Sequence, residues 1–297
     1  MEKNLMIYNP VSGKIREKDS FIGRLVQGLT DEGKLLTIYQ TQGKGDAEDF
    51  VMRQPIDYDK VICCGGDGTL HEIVNGIAKT GKKSIVAYIP SGSTNDYAKN
   101  LGISKENAIS CIYNGKITGI DIGEFNGEYF NYVAAFGAFT VISFTTSQKA
   151  KNLLGYFAYV LEGIKHLNEI KPKHVRFQTE NAGAEDDFLL GMITNAFSVA
   201  GIKNMGTLGT KLNDGKMEYL FIKMPNNFIE LQMIIVALLN ENIDERFMYY
   251  GQFEWMEIHS EAMEWTLDGE NGGVWESVNI RICPEKVKMI VEMSCTI

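Results

Sequence analysis

The run Val61-Ile-Cys-Cys-Gly-Gly-Asp-Gly-Thr-Leu-His-Glu72 leaves the chain little choice of local fold. Its apolar start reads as a buried strand, the glycines after it as a tight turn, and Leu70 to Ala78 as an amphipathic helix. Such a unit makes an anion site. Glycines admit backbone N–H groups without a Cβ in the way, and a helix start adds unpaired donors and the positive end of a dipole. Asp67 sets a condition on that anion: a carboxylate repels a polyphosphate unless a divalent cation lies between them or the carboxylate manages a proton. The loop therefore points to phosphoryl chemistry. A purely local reading stays open, because Thr69 and Glu72 have the spacing of a capping box.

The surrounding pattern extends this unit into a sheet. Short apolar runs at Leu5 to Asn9, Leu35 to Tyr39, Val61 to Cys64 and Ile85 to Ile89 alternate with amphipathic runs at Phe21 to Leu29, Asp46 to Met52, Leu70 to Ala78 and Asp96 to Leu101. That is β-α-β-α order, expected for a mostly parallel sheet with helices on its faces and ligands beyond the carboxyl ends of its strands. Asn9 to Gly13, Thr41, Gly65 to Thr69 and Pro90 to Asp96 all follow strand-like runs, so four loops can share one rim. After Ile120 the texture turns β-branched and aromatic, at Tyr129 to Val133, His174 to Thr179, Phe188 to Phe197, Lys216 to Lys223 and Glu254 to His259. These read as antiparallel strands of a second, β-rich domain. Helical stretches at 146–167 and 227–239 interrupt it, the first either core or the wall of an apolar groove. The strand-like Val287 to Val291 could return to the first domain, which periodicity alone does not decide.

Composition narrows the partners. A formal charge of -9 gives no bulk attraction to nucleic acid or to an anionic membrane, so a nucleic-acid partner is not expected. Five cysteines, with Cys63 and Cys64 adjacent in an apolar strand and no zinc-ligand spacing, indicate reduced thiols and a cytoplasmic location. The longest apolar run, Met233 to Leu239, falls short of the about 20 residues that a bilayer crossing needs. No signal-peptide pattern is seen in the first residues.

With the later motifs in view, the chain resembles the diacylglycerol kinase catalytic-domain family, in particular its bacterial soluble lipid kinases, over nearly its whole length. Asn9-Pro-Val-Ser-Gly13 resembles the family's opening Asn-Pro-x-Ser-Gly, and Gly65-Gly-Asp-Gly-Thr-Leu-His-Glu-Ile-Val-Asn-Gly76 its glycine signature. Ile89-Pro-Ser-Gly-Ser-Thr-Asn-Asp-Tyr-Ala-Lys99, Ile120-Asp-Ile-Gly123, Leu212-Asn-Asp-Gly-Lys216 and Leu267-Asp-Gly-Glu270 follow in the family's order. Ser93, His71 and Lys99 stand where the family usually has Thr, Asn and Arg.

The resemblance implies an α/β fold in two domains: a doubly wound, mostly parallel sheet domain of the NAD kinase and diacylglycerol kinase type, residues 1–122 plus 284–297, and a β-rich antiparallel lipid domain, residues 123–283. It implies ATP against Asn9, Ser12, Thr41, Gly65, Gly66, Asp67, Gly68, Thr69, Glu72 and Ser93. Asp67 and Asp121 would organise a catalytic Mg²⁺, and Glu270 would take the proton of a lipid hydroxyl. A structural Mg²⁺ is implied near Asp214, with carbonyls of Lys211 and Lys216. The expected partner is a lipid met at the membrane surface through transient peripheral contact, and a homodimer is left open.

The residues themselves keep alternatives. Asp121 also reads as a polar strand end, Asp214 as part of an Asn-Asp-Gly hairpin turn, and Asp268 as a competing base to Glu270. His71, on the first helical turn without a partner spacing, reads as a packing or surface histidine. At the level of function, an NAD kinase-like enzyme and a non-catalytic lipid- or nucleotide-binding regulator remain the competitors.

Overall fold

Val61 to Cys64 are apolar without alternation and buried on both faces, the signature of a central parallel strand, and the first part of the chain is built around them. A computed structural model of the chain describes residues 1–12, 15–93, 95–138, 171–196, 198–199, 202–203 and 211–295. By internal packing it divides into two units, Met1–Ile122 with Pro284–Ile297, and Gly123–Cys283.

The first unit runs β1 (Lys3–Tyr8), α1 (Ile15–Asp31), β2 (Leu35–Gln40), α2 (Asp46–Arg53), β3 (Lys60–Gly65), α3 (Asp67–Thr80), β4 (Ile85–Pro90), α4 (Asp96–Asn100), α5 (Ala108–Asn114) and the start of β5 (Lys116–Phe125). The strands are parallel in the order β4-β3-β1-β2. The end of the last strand, β15 (Glu270–Val291), joins them through a parallel pairing of Met289 with Val86. Helices α2 and α3 pack closely because Gly76 carries no side chain; a Cβ there would lie 2.9 Å from Val51 Cβ and 3.0 Å from the Glu48 carbonyl.

In the second unit the order is β6 (Glu128–Phe130), β7 (Val133–Gly137), β8 (Lys173–Thr179), β9 (Gly183–Thr194), the short antiparallel pair β10 (Ser198–Val199) and β11 (Ile202–Lys203), β12 (Met217–Lys223), α6 (Phe228–Leu239), β13 (Met248–Phe253), β14 (Trp255–Leu267) and most of β15. Its sheet is antiparallel. The core is aromatic, with Phe136 edge-on to Trp265 at 5.0 Å between ring centroids and Phe177 edge-on to Phe221 at 4.9 Å. Strands β7 and β8 share one lane between β9 and β14: Gly137 faces Leu190 and Lys173 faces Phe188, so the chain leaves the lane at Gly137 and rejoins it almost where it left.

Several sequence expectations need correction. The strand expected at Phe188 to Phe197 is β9, which starts at Gly183 and stops at Thr194; its first half alternates exposed acidic residues, which hid it. Strand β13 was not expected at all, and the last strand is far longer than Val287 to Val291. Asp121 is not a strand end but sits inside β5, fully buried. The helical stretch at 146–167 lies outside the described residues, whereas that at 227–239 is α6, with Asn227 as its N-cap.

Candidate functional site

The four parallel strands of the first unit finish level, since Tyr8 pairs with Gln40 and Cys64, and Gly65 with Pro90. The residue after each strand is then stitched to its neighbour. Thr41 donates its backbone N–H to the Tyr8 carbonyl (2.9 Å), Asn9 to that of Cys64 (3.0 Å), and Ser91 to that of Gly65 (2.8 Å). Side chains add a second row: Asn9 Nδ2 donates to Thr69 Oγ1 at 3.0 Å, and the Ser12 and Ser91 hydroxyls are 2.9 Å apart. Asn9, Ser12, Thr41, Gly65, Gly66 and Thr69 thus meet on one rim, as the loop positions predicted.

Two glycine backbones touch there. A Cβ on Gly92 would lie 2.7 Å from Gly66 Cα and 2.8 Å from Asn95 Oδ1, and one on Gly65 would strike the Thr69 side chain at 2.6 Å. The close approach of the β3 and β4 loops therefore requires glycine at Gly92, and the turn into α3 requires it at Gly65. Helix α3 starts at Asp67, behind Gly66 as N-cap with no side-chain cap, so its first backbone donors lie on this rim. Ser93 is an exposed bend next to Gly92.

The Asp67 carboxylate holds the β4 loop in place. It accepts the backbone N–H groups of Asp96 (3.0 Å) and Tyr97 (3.4 Å) and the Tyr88 hydroxyl (3.3 Å), which anchors the first turn of α4. The capping-box reading of Thr69 and Glu72 is not what forms. Thr69 turns to Asn9, and Glu72 reaches the start of another helix, accepting from Gly45 N–H at 2.7 Å and Ala47 N–H at 3.1 Å. Gly45 is the N-cap of α2, in the left-handed region, and has no capping side chain of its own. Glu72 supplies one from α3, and so supports the rim from behind. His71 is half-buried on α3, with its ring Nε2 3.4 Å from Asn75 Nδ2 on the same helix.

Asp121, in β5, accepts the backbone N–H of Glu285 at 2.7 Å, which ties β5 to the returning strand. Burial pushes the Cys63 thiol well up, the charges of Cys64, Asp67 and Glu72 adding to it, so this thiol stays protonated and inert. All five cysteines are free.

In the second unit, Asp268 and Gly269 form a two-residue turn between β14 and β15, with φ of 52° and 83°, the left-handed pair of a type I′ hairpin. The Asp268 carboxylate accepts three backbone N–H groups, from Asn131 (2.7 Å), Tyr132 (3.0 Å) and Val133 (3.1 Å). Asp268 serves the turn, and the next side chain that this rigid turn presents is the half-buried Glu270. Lys211, Asp214 and Lys216 lie in the exposed segment before β12, where Asp214 Oδ1 accepts the Lys216 N–H at 3.1 Å and Gly215 has φ 75°.

Sequence reasoning missed Ser91, Gly92 and Tyr88. The first two were legible in principle as part of Pro90-Ser-Gly-Ser; the third, a buried strand residue, gave no signal. Among the described residues no group of three His, Cys, Asp or Glu is placed to hold a metal. Mg²⁺ does not demand one, being commonly held by one or two carboxylates with substrate phosphate and water, so Asp67 and Asp121 suit it in donor type. Among the described residues no helix is long and apolar enough to cross a membrane.

A glycine-lined rim at the carboxyl ends of a parallel sheet defines a phosphate-handling α/β protein. The family model that matches residues 3–125 is described as the diacylglycerol kinase catalytic domain. The chain is 31% identical to the diacylglycerol kinase of Bacillus subtilis (strain 168), over 92% of this chain and 91% of that one, and 32% identical to that of Staphylococcus haemolyticus, over 90% and 82%. A crystal structure of a diacylglycerol kinase from Bacillus anthracis superposes with a TM-score of 0.76 at 21% identity, over 99% of this chain and 98% of that one, which shows a common fold. The chain therefore belongs to the diacylglycerol kinase family and is a lipid kinase.

Proposed function

We propose that this lipid kinase transfers the γ-phosphoryl group of ATP to a hydroxyl of diacylglycerol or a related lipid, in the cytoplasm and at the membrane surface. The observation that carries the donor half is the contact of the Gly66 and Gly92 backbones beside the uncapped start of α3, which concentrates N–H donors where a polyphosphate would lie. The free cysteines support a reducing compartment.

In this reading Asn9, Ser12, Thr41 and the segment Gly65 to Thr69 receive the nucleotide, Ser93 flanks it, and Glu72 acts on it by fixing the start of α2 behind Thr41. Asp67 and Asp121 would hold Mg²⁺, which when bound offsets the charge that builds on the phosphate oxygens during transfer. Backbone donors of Gly66 and Gly68 orient those oxygens, and a loose transition state asks for little else but position and charge. Glu270, the first residue of β15 after the turn, takes the proton of the attacking hydroxyl at its carboxylate. The segment Lys211 to Lys216 with Asp214 is the proposed structural metal position, offering one carboxylate and backbone carbonyls.

The test is direct. Purified protein, labelled ATP and Mg²⁺ are incubated with a mixed lipid panel or with NAD, and products are identified by mass spectrometry. A phosphorylated diacylglycerol or related lipid is expected. Phosphorylated NAD alone would move the protein to the NAD kinase reading, and lipid binding without any product would make it a regulator.

A further inference from the structure

Tyr88, near the end of β4, stands with its hydroxyl between two loops of the rim. The oxygen is 3.3 Å from Asp67 Oδ1, at the start of α3, and 3.3 Å from Oδ1 of Asn95, the N-cap of α4. A phenol has one proton to give, and both distances exceed the about 2.7–2.8 Å usual for O–H···O, which is the geometry of one proton shared between two acceptors. Each acceptor also has backbone donors. Asp67 takes the N–H groups of Asp96 at 3.0 Å and Tyr97 at 3.4 Å, and Asn95 Oδ1 takes that of Gly92 at 2.9 Å. Asn95, with φ of 50°, returns a bond from Nδ2 to the Gly92 carbonyl at 2.9 Å, so its side chain closes the Gly92 turn. What the hydroxyl adds is a direct link between that side chain and the Asp67 carboxylate.

Resting on the reading above that Asp67 holds Mg²⁺, we propose that Tyr88 is a positioning residue for phosphoryl transfer: its hydroxyl fixes the orientation in which the Asp67 carboxylate meets the metal and couples that carboxylate to the Gly92 turn. A group that hydrogen-bonds a metal-binding carboxylate sets its orientation, and losing such a group typically costs about 10–100-fold in metal affinity or activity. Tyr88 is only 1% exposed, so it touches no ligand itself and its effect travels through Asp67. A purely structural part would behave otherwise. Phenylalanine fills the same space as tyrosine, and both acceptors keep their backbone donors without the hydroxyl, so its loss falls on function far more than on stability.

The experiment uses the full chain with Tyr88→Phe, Asp67→Asn, the double variant, and Tyr249→Phe as control. The control removes another tyrosine–carboxylate bond of 3.3 Å, from Tyr249 to Asp186 Oδ2 in the second unit. Metal affinity is read without turnover, as free Mn²⁺ by electron paramagnetic resonance in the presence of a non-hydrolysable ATP analogue; kcat is read with Mg²⁺, ATP and a dispersed short-chain diacylglycerol. Tyr88→Phe is expected to weaken Mn²⁺ binding and to lower kcat, each by about tenfold or more. Its affinity for the metal-free analogue is expected to be unchanged and its melting temperature to stay within about 3 °C of wild type. Tyr249→Phe is expected to match wild type in both readings. On top of Asp67→Asn, Tyr88→Phe is expected to add no further loss of Mn²⁺ affinity, because the hydroxyl acts through that carboxylate. Wild-type Mn²⁺ affinity in Tyr88→Phe, additive losses in the double variant, or an equal loss of metal-free analogue affinity would each overturn the proposal. Asp67→Asn that binds Mn²⁺ as tightly as wild type would instead overturn the reading of Asp67 on which the proposal rests. The Mn²⁺ readings decide even if no lipid is phosphorylated, a result that would overturn the functional reading by itself.

Discussion

Asp67 accepts the backbone N–H of Asp96 at 3.0 Å, so the residue that opens α3 also anchors the opening of α4. A carboxylate assigned to phosphoryl chemistry is thus also the clamp between two loops of the rim. Removing it strands the N–H groups of Asp96 and Tyr97 as well as any metal. Asp67→Ala is expected to lower unfolding stability by about 1–3 kcal/mol and to abolish kinase activity. Urea unfolding beside an activity assay checks this; unchanged stability would remove the clamp role.

Glu270 is expected to behave differently, because the turn before it is held by Asp268 through three backbone N–H groups. Glu270→Gln should reduce turnover by about 10²-fold or more with stability and nucleotide affinity near wild type. Calorimetric nucleotide titration and steady-state kinetics on the same preparation separate the two effects.

The contact of Gly92 with Gly66 leaves no room for a methyl group, its nearest atom being backbone at 2.7 Å. Gly92→Ala should cost about 1–3 kcal/mol or force the loops apart, with loss of nucleotide binding. Gly43→Ala is the control, since a Cβ there meets nothing within 4 Å. A Gly92→Ala protein that binds nucleotide as wild type does would dismiss the glycine contact as the donor site.

Glu72 caps α2 from another helix, and Glu72→Ala should destabilise the protein by about 1–2 kcal/mol. Hydrogen exchange should quicken at Gly45 and Ala47 first. If those amides are unaffected while ATP affinity falls, Glu72 touches the nucleotide itself.

Exposed His174 lies between Asp187 (2.8 Å) and Glu185 (3.1 Å), and these hydrogen bonds, Asp187's first, hold its pKa above the ordinary histidine value of about 6.5. A raised value means that the folded state keeps the proton longer. Its contribution to stability is therefore complete below the unfolded value and is lost as pH rises through the folded one. An NMR titration of the ring should show the elevation, and Asp187→Asn should lower it.

What the sequence made legible was the rim. Asn9, Thr41 and Gly65 each follow an apolar run of the kind that forms parallel strands, and the backbone links among them are forced once those strands pair. Long-range choices were hidden. Nothing in the spacing of Thr69 and Glu72 says that one turns to Asn9 and the other to Gly45, because the partners lie on separate elements. Nor does the middle of β15 advertise a strand. Its alternation is confined to Ser277 to Arg281, and the residues on either side are mostly exposed, so the half-buried run is too short to stand out. Nor does any local spacing say that the Asp268 carboxylate accepts three backbone N–H groups from residues more than a hundred positions earlier.

The shared lane of β7 and β8 has a mechanical consequence. Gly137 and Lys173 stand almost end to end against β9, facing Leu190 and Phe188, so two short strands brace one side of β9 as a single long one would. Load along β9 is thereby divided between two pieces of chain that are far apart in sequence.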